Sequence, residues 1–438
     1  MVRPQALAVA ALIGLSSPAW AQEPVRLREQ FPANYQYHVS TRVEISGSLT
    51  PPGDMAGAKP IPVTGTSAIE YDERVLTAEA DGRVSKALRI YRRIDLQRKV
   101  ADRPEDATVR QPVRRLVILR RKNAEVPFSP DGPLTWGEIE LIRTDVFTPA
   151  LAGLLPDRPV KPGDRWNAAR EAIQELTDME IEEGNVECKL EQVTSLGNRR
   201  VAQVTLAGTV KGVNEDGPNR QQLDGHYFFD LDSGHLSYLS FRGVHILLDK
   251  QGKEAGKIEG RFVMTRQANS RSTDLADDAL RGVTLEPNEG NTLLLYDNPD
   301  LGVRLLYPRR WRVGTVQGRQ LTLDEANGSG LLVTLEPLTK LPTAAQFQAE
   351  TLGYFQKQKA RVLGTTAPQR IQGAPAEVDA FALEVELAGQ RSTMDYYILR
   401  QGQGGAVLAA RLLPNDLGAL RREVEQLARG LKITAPPR

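Results

Sequence analysis

Tyr35-Gln36-Tyr37-His38-Val39-Ser40-Thr41-Arg42-Val43-Glu44-Ile45 sets the architecture of the first half of this 438-residue chain. Tyr35, Tyr37, Val39 and Thr41 alternate with polar or charged residues, and Val43 and Ile45 keep the same parity. A period of two places every second side chain on one face, the mark of a half-buried strand. The pattern recurs outward from here. Residues 68–71, 75–80, 84–94 and 116–119 read as further strands, as do 201–210, 225–230 and 236–246. Asp232-Ser233-Gly234 separates the last two. Asp opens a tight turn and Gly supplies a positive φ, so this is a hairpin loop. A Pro-rich loop surrounds Gly53. Short strands with regular turn signals predict an antiparallel sheet curled into a sandwich, partial barrel or half-barrel over residues 22–267.

Helix is scarce in this region. Residues 145–154 suit one short helix, and 167–176 read equally as helix or strand. Between them, Pro156, Pro159, Pro162 and Gly163 make an extended segment that ends at Trp166, a core plug. From 268 to 290 the texture turns to Ser, Thr, Asp, Asn and Gly, the composition of a linker. Residues 291–438 then read as α+β. Strands are expected at 292–296, 303–307, 331–335, 378–385, 393–399 and 406–412. Thr343 with Gln346 has capping-box spacing before a helix carrying Phe347, Thr351, Tyr354 and Phe355. Asn415 is placed to cap a last helix with Leu417, Leu420, Val424, Leu427 and Leu431 on one side. The expected fold class is α+β: a β-rich N-terminal domain, a linker, and an antiparallel sheet with flanking helices.

Two resemblances rest on particular residues. Gly302-Val303-Arg304-Leu305 followed by Tyr307-Pro308-Arg309-Arg310-Trp311 resembles the opening of the PsbP-like fold, over about residues 291–433. That resemblance implies a fold whose members are mostly non-enzymatic binding or accessory modules. Leu155-Pro156 through Pro162-Gly163-Asp164-Arg165-Trp166 is similar to a segment of exported bacterial proteins compared with half-barrel lipoprotein carriers of the LolA type. This would cover about residues 35–267 and implies an apolar cleft for acyl chains. The motif is a turn, so it assigns no cleft residue.

The first 21 residues read as a signal peptide. Arg3 gives the positive start, residues 6–15 an apolar run, and Ala19-Trp20-Ala21 the small-x-small site, with cleavage after Ala21. The run is too short to span a bilayer, and no other stretch approaches the ~20 apolar residues of a transmembrane helix. An exported protein, periplasmic or extracellular, is therefore expected. With no disulfide and an A-x-A signal, a bacterial envelope protein is favoured. The mature chain of about 417 residues carries 55 Lys and Arg against 55 Asp and Glu, since Arg3 is the only charge in the leader. Such neutrality argues against nucleic acid as a partner of the whole molecule. Cys188 is the single cysteine and can form no internal disulfide.

No catalytic, cofactor or metal residues emerge. His226, His235 and His245 fall close together, but they flank a hairpin, where only same-face neighbours converge. Gly328-Ser329-Gly330 lacks the nucleophile-elbow spacing. Gly252 to Lys257 is one residue short of a phosphate loop, and Gly402-Gln403-Gly404-Gly405 lacks the last glycine of a dinucleotide fingerprint. Cys188 reads as a small core or edge residue. Trp136, Trp166 and Trp311 read as core. Residues 83–122 hold fourteen basic against four acidic residues, and 164–187 hold eight acidic against two basic. Either the two segments neutralise each other, or the first is a basic face for an anionic envelope polymer or lipid headgroup. The expected function is an exported non-catalytic binding or accessory protein. Its partners would be a lipid or other apolar or amphipathic ligand, or envelope proteins. The competing expectations are a cell-envelope polymer hydrolase with carboxylates not identified, and a scaffold that docks proteins through its sheet edges.

Overall fold

The computed structural model describes residues 23–50, 59–79, 82–121, 124–215 and 217–435. The signal-peptide reading of 1–21, the loop around Gly53 and Lys122 lie outside them. The described chain forms two compact units: a smaller one of residues 23–30 and 150–263, and a larger one of 31–149 and 264–435.

The larger unit opens with strands β1 (Gln36–Leu49), β2 (Ile61–Ala78), β3 (Val84–Val100), β4 (Arg103–Thr108), β5 (Arg115–Arg121) and β6 (Ala124–Phe128). They order as β6-β5-β3-β2-β1, with β4 on β3, and the neighbours are antiparallel. Tyr37, Val39 and Thr41 are buried in β1 as the alternation requires. A two-residue strand β7 (Leu134–Thr135) runs into helix α1 (Trp136–Arg143). Thr135 Oγ1 accepts from the Glu138 N–H at 3.2 Å, and Glu138 Oε2 accepts from the Thr135 N–H at 2.8 Å, closing a capping box.

The smaller unit holds β8 (Arg165–Asn167), α2 (Arg170–Thr177), β9 (Glu180–Leu196), β10 (Arg199–Asn214), β11 (Gly217–Asp230) and β12 (His235–Leu248), and β13 (Glu254–Ala268) leads out of it. Their order is β13-β12-β11-β10-β9-β8. Val204, Leu206, Tyr227, Leu239 and Phe241 share the buried face. Above it, Gln221 Nε2 donates to the Thr177 carbonyl at the end of α2 (2.8 Å), and Tyr227 Oη donates to the Leu154 carbonyl (2.9 Å). Gly208 and Gly225 also belong to this face. A Cβ there would stand 2.1 Å from the Asn185 carbonyl oxygen and 2.2 Å from that of Ser240. Only glycine lets adjacent strands approach so closely and bend.

The rest of the larger unit comprises β14 (Leu294–Asn298), β15 (Val303–Tyr307), β16 (Trp311–Gln317), β17 (Gln320–Glu325), β18 (Gly330–Glu336), α3 (Ala344–Lys357), β19 (Arg361–Thr365), β20 (Gln369–Arg370), β21 (Glu377–Leu387), β22 (Gln390–Gln401), β23 (Gly404–Leu412), α4 (Leu417–Gly430) and β24 (Lys432–Ile433). One sheet orders as β16-β17-β18-β23-β22-β21-β19, with β20 on β21. A second orders as β24-β15-β14-β7, in which Leu294 and Leu295 pair in parallel with Leu134 and Thr135. Helix α3 buries Ala344 and Phe355 against Phe381, Leu383, Val385, Tyr396 and Ile398. Its Thr343–Gln346 capping box forms as expected.

The α+β expectation is overturned. The protein is 56% strand and 15% helix, mostly β, with large antiparallel sheets and no closed barrel among the described residues. The reason is length: β2, β3 and β9 run 17 or 18 residues, whereas no α-helix among the described residues exceeds 14. The short helix expected at 145–154 is a 3-10 turn over Thr148–Leu154, interrupted for regular helix by Pro149 and Gly153. Asn415 does not cap α4. The N-cap is Asp416, in the left-handed region (φ 60°) without a side-chain cap bond, because its carboxylate binds Arg310 at 2.7 Å. In the stretch 268–290, Leu275 is fully buried against Leu88, Val117 and Phe128.

Candidate functional site

The residues that sequence alone singled out are held by ordinary structural partners. Residues directly opposite across a ladder share a face, and the facing pairs are His226 with Ser240 and Gln221 with His245. His226 and His245 therefore point to opposite sides of the sheet. His235 is buried, its Nδ1 3.7 Å from Glu29 Oε1, and burial pushes its imidazole down to about 4. Among the described residues no three His, Cys, Asp or Glu converge as metal ligands. Cys188 is buried opposite Leu206, and burial pushes its thiol up to about 12, away from nucleophilic use. Ser329 Oγ accepts the Leu413 N–H at 3.1 Å. Asp249 Oδ1 accepts the Gln251 and Lys253 N–H groups, each at 2.8 Å, so the Gly252 segment is a hairpin turn.

The PsbP-like motif is also structural. Pro308 stops β15, and Trp311 is fully buried with Nε1 donating to Glu423 Oε2 of α4 at 2.8 Å. The Arg309 guanidinium donates to the Pro127 carbonyl at 2.6 Å, and that of Arg312 lies 3.7 Å from the Trp136 ring centre. Trp166 is half-buried and donates to the Leu154 carbonyl at 2.9 Å.

Among the described residues, many charges of the basic and acidic segments are paired locally. Asp72 and Asp274 hold Arg92 at 2.9 Å each, Asp131 pairs with Arg115, and Glu286 pairs with Lys86. Glu138 takes Arg110 at 2.8 Å. Burial alone would raise the Glu138 carboxyl. Hydrogen bonds from the Arg110 guanidinium and from the Thr135 and Arg110 N–H groups hold it below the ordinary range instead. In the acidic segment, Asp164 meets Arg158 at 3.2 Å and Glu187 meets Arg165.

One charged cluster lies wholly in the interior of the larger unit. Arg89 faces Glu73 across the β2–β3 ladder and binds it through Nε. Arg89 Nη1 donates to Asp145 Oδ2 at 2.8 Å and to Tyr91 Oη at 3.2 Å. Tyr91 Oη donates to Asp145 Oδ2 at 3.0 Å, and Tyr37 Oη donates to Glu73. The guanidinium stacks 4.5 Å from the Tyr71 ring centre. Burial alone would lower the Arg89 pKa, but Glu73 and the other surrounding groups hold it well above the ordinary range. The Arg89, Glu73 and Asp145 side chains are 0% exposed, so no substrate reaches them. This network organises a core.

A surface hollow lies on the smaller unit, on the face of β10–β12 opposite the buried one. Thr209, Gln222 and Val244 stand side by side across three strands, and Lys211, Arg220 and Ile246 form the next row. Thr209, Arg220, Gln222, Val244 and Ile246 line a half-open hollow of about 250 Å³. Val244 and Ile246 form its apolar part, and Thr209, Gln222 and Arg220 supply donors. The five residues Val244–Leu248 at the end of β12 are all half-buried, although successive side chains point to opposite faces. Apolar groups on both sides of this strand end therefore remain in reach of solvent. None of the hollow's residues was singled out from sequence. The signal is a cross-strand one, and it exists only once the register is known.

No family model matches the chain, and no curated protein matches it. Among solved structures, it is similar to cyanobacterial PsbP from Synechocystis sp. PCC 6803, at 12% identity over 32% of this chain and 92% of that one, with a TM-score of 0.27. It is also similar to the Ran-binding protein Mog1p of Saccharomyces cerevisiae, at 13% identity over 33% of this chain and 96% of that one, with a TM-score of 0.25. Lipovitellin matches at 9% identity over 62% of this chain and 29% of that one, with a TM-score of 0.33. At such values function has to be argued from the chain's own residues. Among the described residues no helix is long and apolar enough to cross a membrane.

Proposed function

We propose that this chain is an exported, non-catalytic envelope protein that binds an apolar or amphipathic molecule on its smaller unit. The observation that carries this reading is the end of β12. Val244, Ile246, Leu247 and Leu248 are left half-buried on both faces of one strand, beside a hollow with a few placed polar groups. A strand end that served only the core would be covered on one face and polar on the other. Binding sites instead combine an apolar floor with a small number of polar groups that fix orientation. Export rests on the signal-like pattern ending at Ala21, and the half-barrel resemblance of residues 35–267 points the same way.

The test is native mass spectrometry, with lipid extraction, on the mature chain from Gln22 onward purified from its own envelope fraction. A co-purifying apolar or amphipathic molecule at near-stoichiometric amount supports the reading. A clean apo mass with nothing extracted would overturn it and favour a protein-docking scaffold. Fractionating cells that express the full chain, with Ala19 and Ala21 intact or both replaced by Glu, tests export separately. Processing and release are expected only in the first case.

A further inference from the structure

Lys211 and Arg220 face each other directly across the β10–β11 ladder. Like charges in that position destabilise a sheet. Among the described residues the pair has one close carboxylate: Glu183 Oε2 lies 3.2 Å from Lys211 Nζ, and both side chains are more than half exposed. Arg220 is exposed and makes no ion pair among the described residues. It borders the hollow whose apolar part is Val244 and Ile246, and Ile246 is its own cross-strand neighbour on β12. The next row adds Thr209 and Gln222, both exposed and able to donate. A free guanidinium, an excess of positive charge and two half-buried aliphatic side chains thus share one concavity. The volume, about 250 Å³, falls below the ~300–1,000 Å³ of sites that enclose a whole small molecule. It suits one segment of a longer ligand.

We propose that this hollow takes an anionic amphipath. Its oxyanion head, a phosphate or carboxylate, would sit on Arg220 with help from Lys211 and Gln222, and the first part of its chain would lie over Val244 and Ile246. A planar guanidinium matches such heads through paired N–H donors. This rests on the binding function proposed above and names its ligand class.

The test uses the full mature chain and three probes: dodecyl phosphate and decyl maltoside, each below its micelle concentration, and inorganic phosphate. Affinities are read by isothermal titration calorimetry for the unaltered protein and for Arg220→Gln and Arg220→Lys. Dodecyl phosphate is expected to bind best, and more weakly as salt is raised. Arg220→Gln should weaken it by roughly tenfold or more, the usual worth of a charge-assisted bond. Arg220→Lys should recover part of that loss, and decyl maltoside should be indifferent to both changes. Because Arg220 is exposed, matching circular dichroism is expected for all three proteins, with the urea midpoint of Arg220→Gln unchanged or slightly raised, since it removes the facing like-charge pair. Equal binding of dodecyl phosphate and decyl maltoside, unaltered by Arg220→Gln, would overturn the anionic head while leaving amphipath binding intact. Inorganic phosphate binding as tightly as dodecyl phosphate would overturn the amphipath in favour of a simple anion site. Failure of both chain-bearing probes would overturn this inference, while the broader binding function is decided separately by the co-purification test above.

Discussion

Replacing Arg89 by methionine is expected to strand two carboxylates in the core of the larger unit. In the intact protein Arg89 binds Glu73 and Asp145, and all three side chains are 0% exposed. Methionine has a similar length and no charge, so the cavity left is small and the dominant loss is electrostatic. Breaking a buried pair from one side typically costs about 3–5 kcal/mol. At about 1.4 kcal/mol per factor of ten, opening of β2 and β3 should become roughly a hundred- to several-thousandfold more frequent. Amide hydrogen exchange reads this locally, at Ile69–Val75 and Leu88–Tyr91, without treating the whole chain as two-state. The loss should also depend on pH. Without the guanidinium, two buried carboxyls have no cation beside them, so burial penalises their charged forms. Folding of the variant therefore weakens as pH rises and the carboxyls have to ionise. The variant should therefore be least impaired near pH 4–5 and most impaired near pH 8. Adding Glu73→Gln and Asp145→Asn should restore more than half of the loss, because the charges that need Arg89 are gone. Exchange rates in β2 and β3 unchanged by Arg89→Met, or a deficit independent of pH, would refute this account of the core.

Three further expectations concern the smaller unit. Cys188, buried with its thiol pushed up to about 12, should react with a disulfide reagent only after urea unfolding; fast labelling of the native protein would contradict its placement. His235, pushed down to about 4 from 6.5 by burial, stays neutral when folded. The unfolded chain binds that proton first, so stability should fall as pH drops from about 6.5 to 4, by at most about 3 kcal/mol. Urea midpoints of His235→Asn should show a shallower pH slope across that window, and identical slopes would reject it. Gly208→Ala puts a methyl group 2.1 Å from the Asn185 carbonyl oxygen, so about 1–3 kcal/mol of destabilisation is expected, measured by the shift in urea midpoint.

Periodicity carried the strands in the sequence. Tyr37, Val39 and Thr41 announced the buried face of β1, and Thr343 with Gln346 announced the start of α3. Thr135-Trp136-Gly137-Glu138 holds the same capping signature and opens α1, so the sequence carries the signal for that helix too. Asn415 misled because capping preference is local, whereas its neighbour Asp416 answers to Arg310, 106 residues away. The balance of helix to strand was misjudged because strands usually average ~5–6 residues, and β2, β3 and β9 reach 17 or 18. The hollow was illegible for a deeper reason. Lys211 and Arg220 are unremarkable in series, and only the hairpin register sets them face to face.

The burial of Leu275 bears on how the chain matures. Leu275 completes a cluster with Leu88, Val117 and Phe128, and the Arg74 guanidinium binds its carbonyl across 201 residues of sequence. The larger unit is discontinuous, with residues 150–263 spliced into it. A chain emerging from its N-terminus thus produces β1–β6 long before Leu275 can close their apolar surface. Contacts this distant are slow to form, and an open sheet exposed meanwhile invites aggregation. Such a protein would depend on a holding chaperone during biogenesis. Truncations ending before residue 275 should be insoluble even though they contain every strand of that sheet.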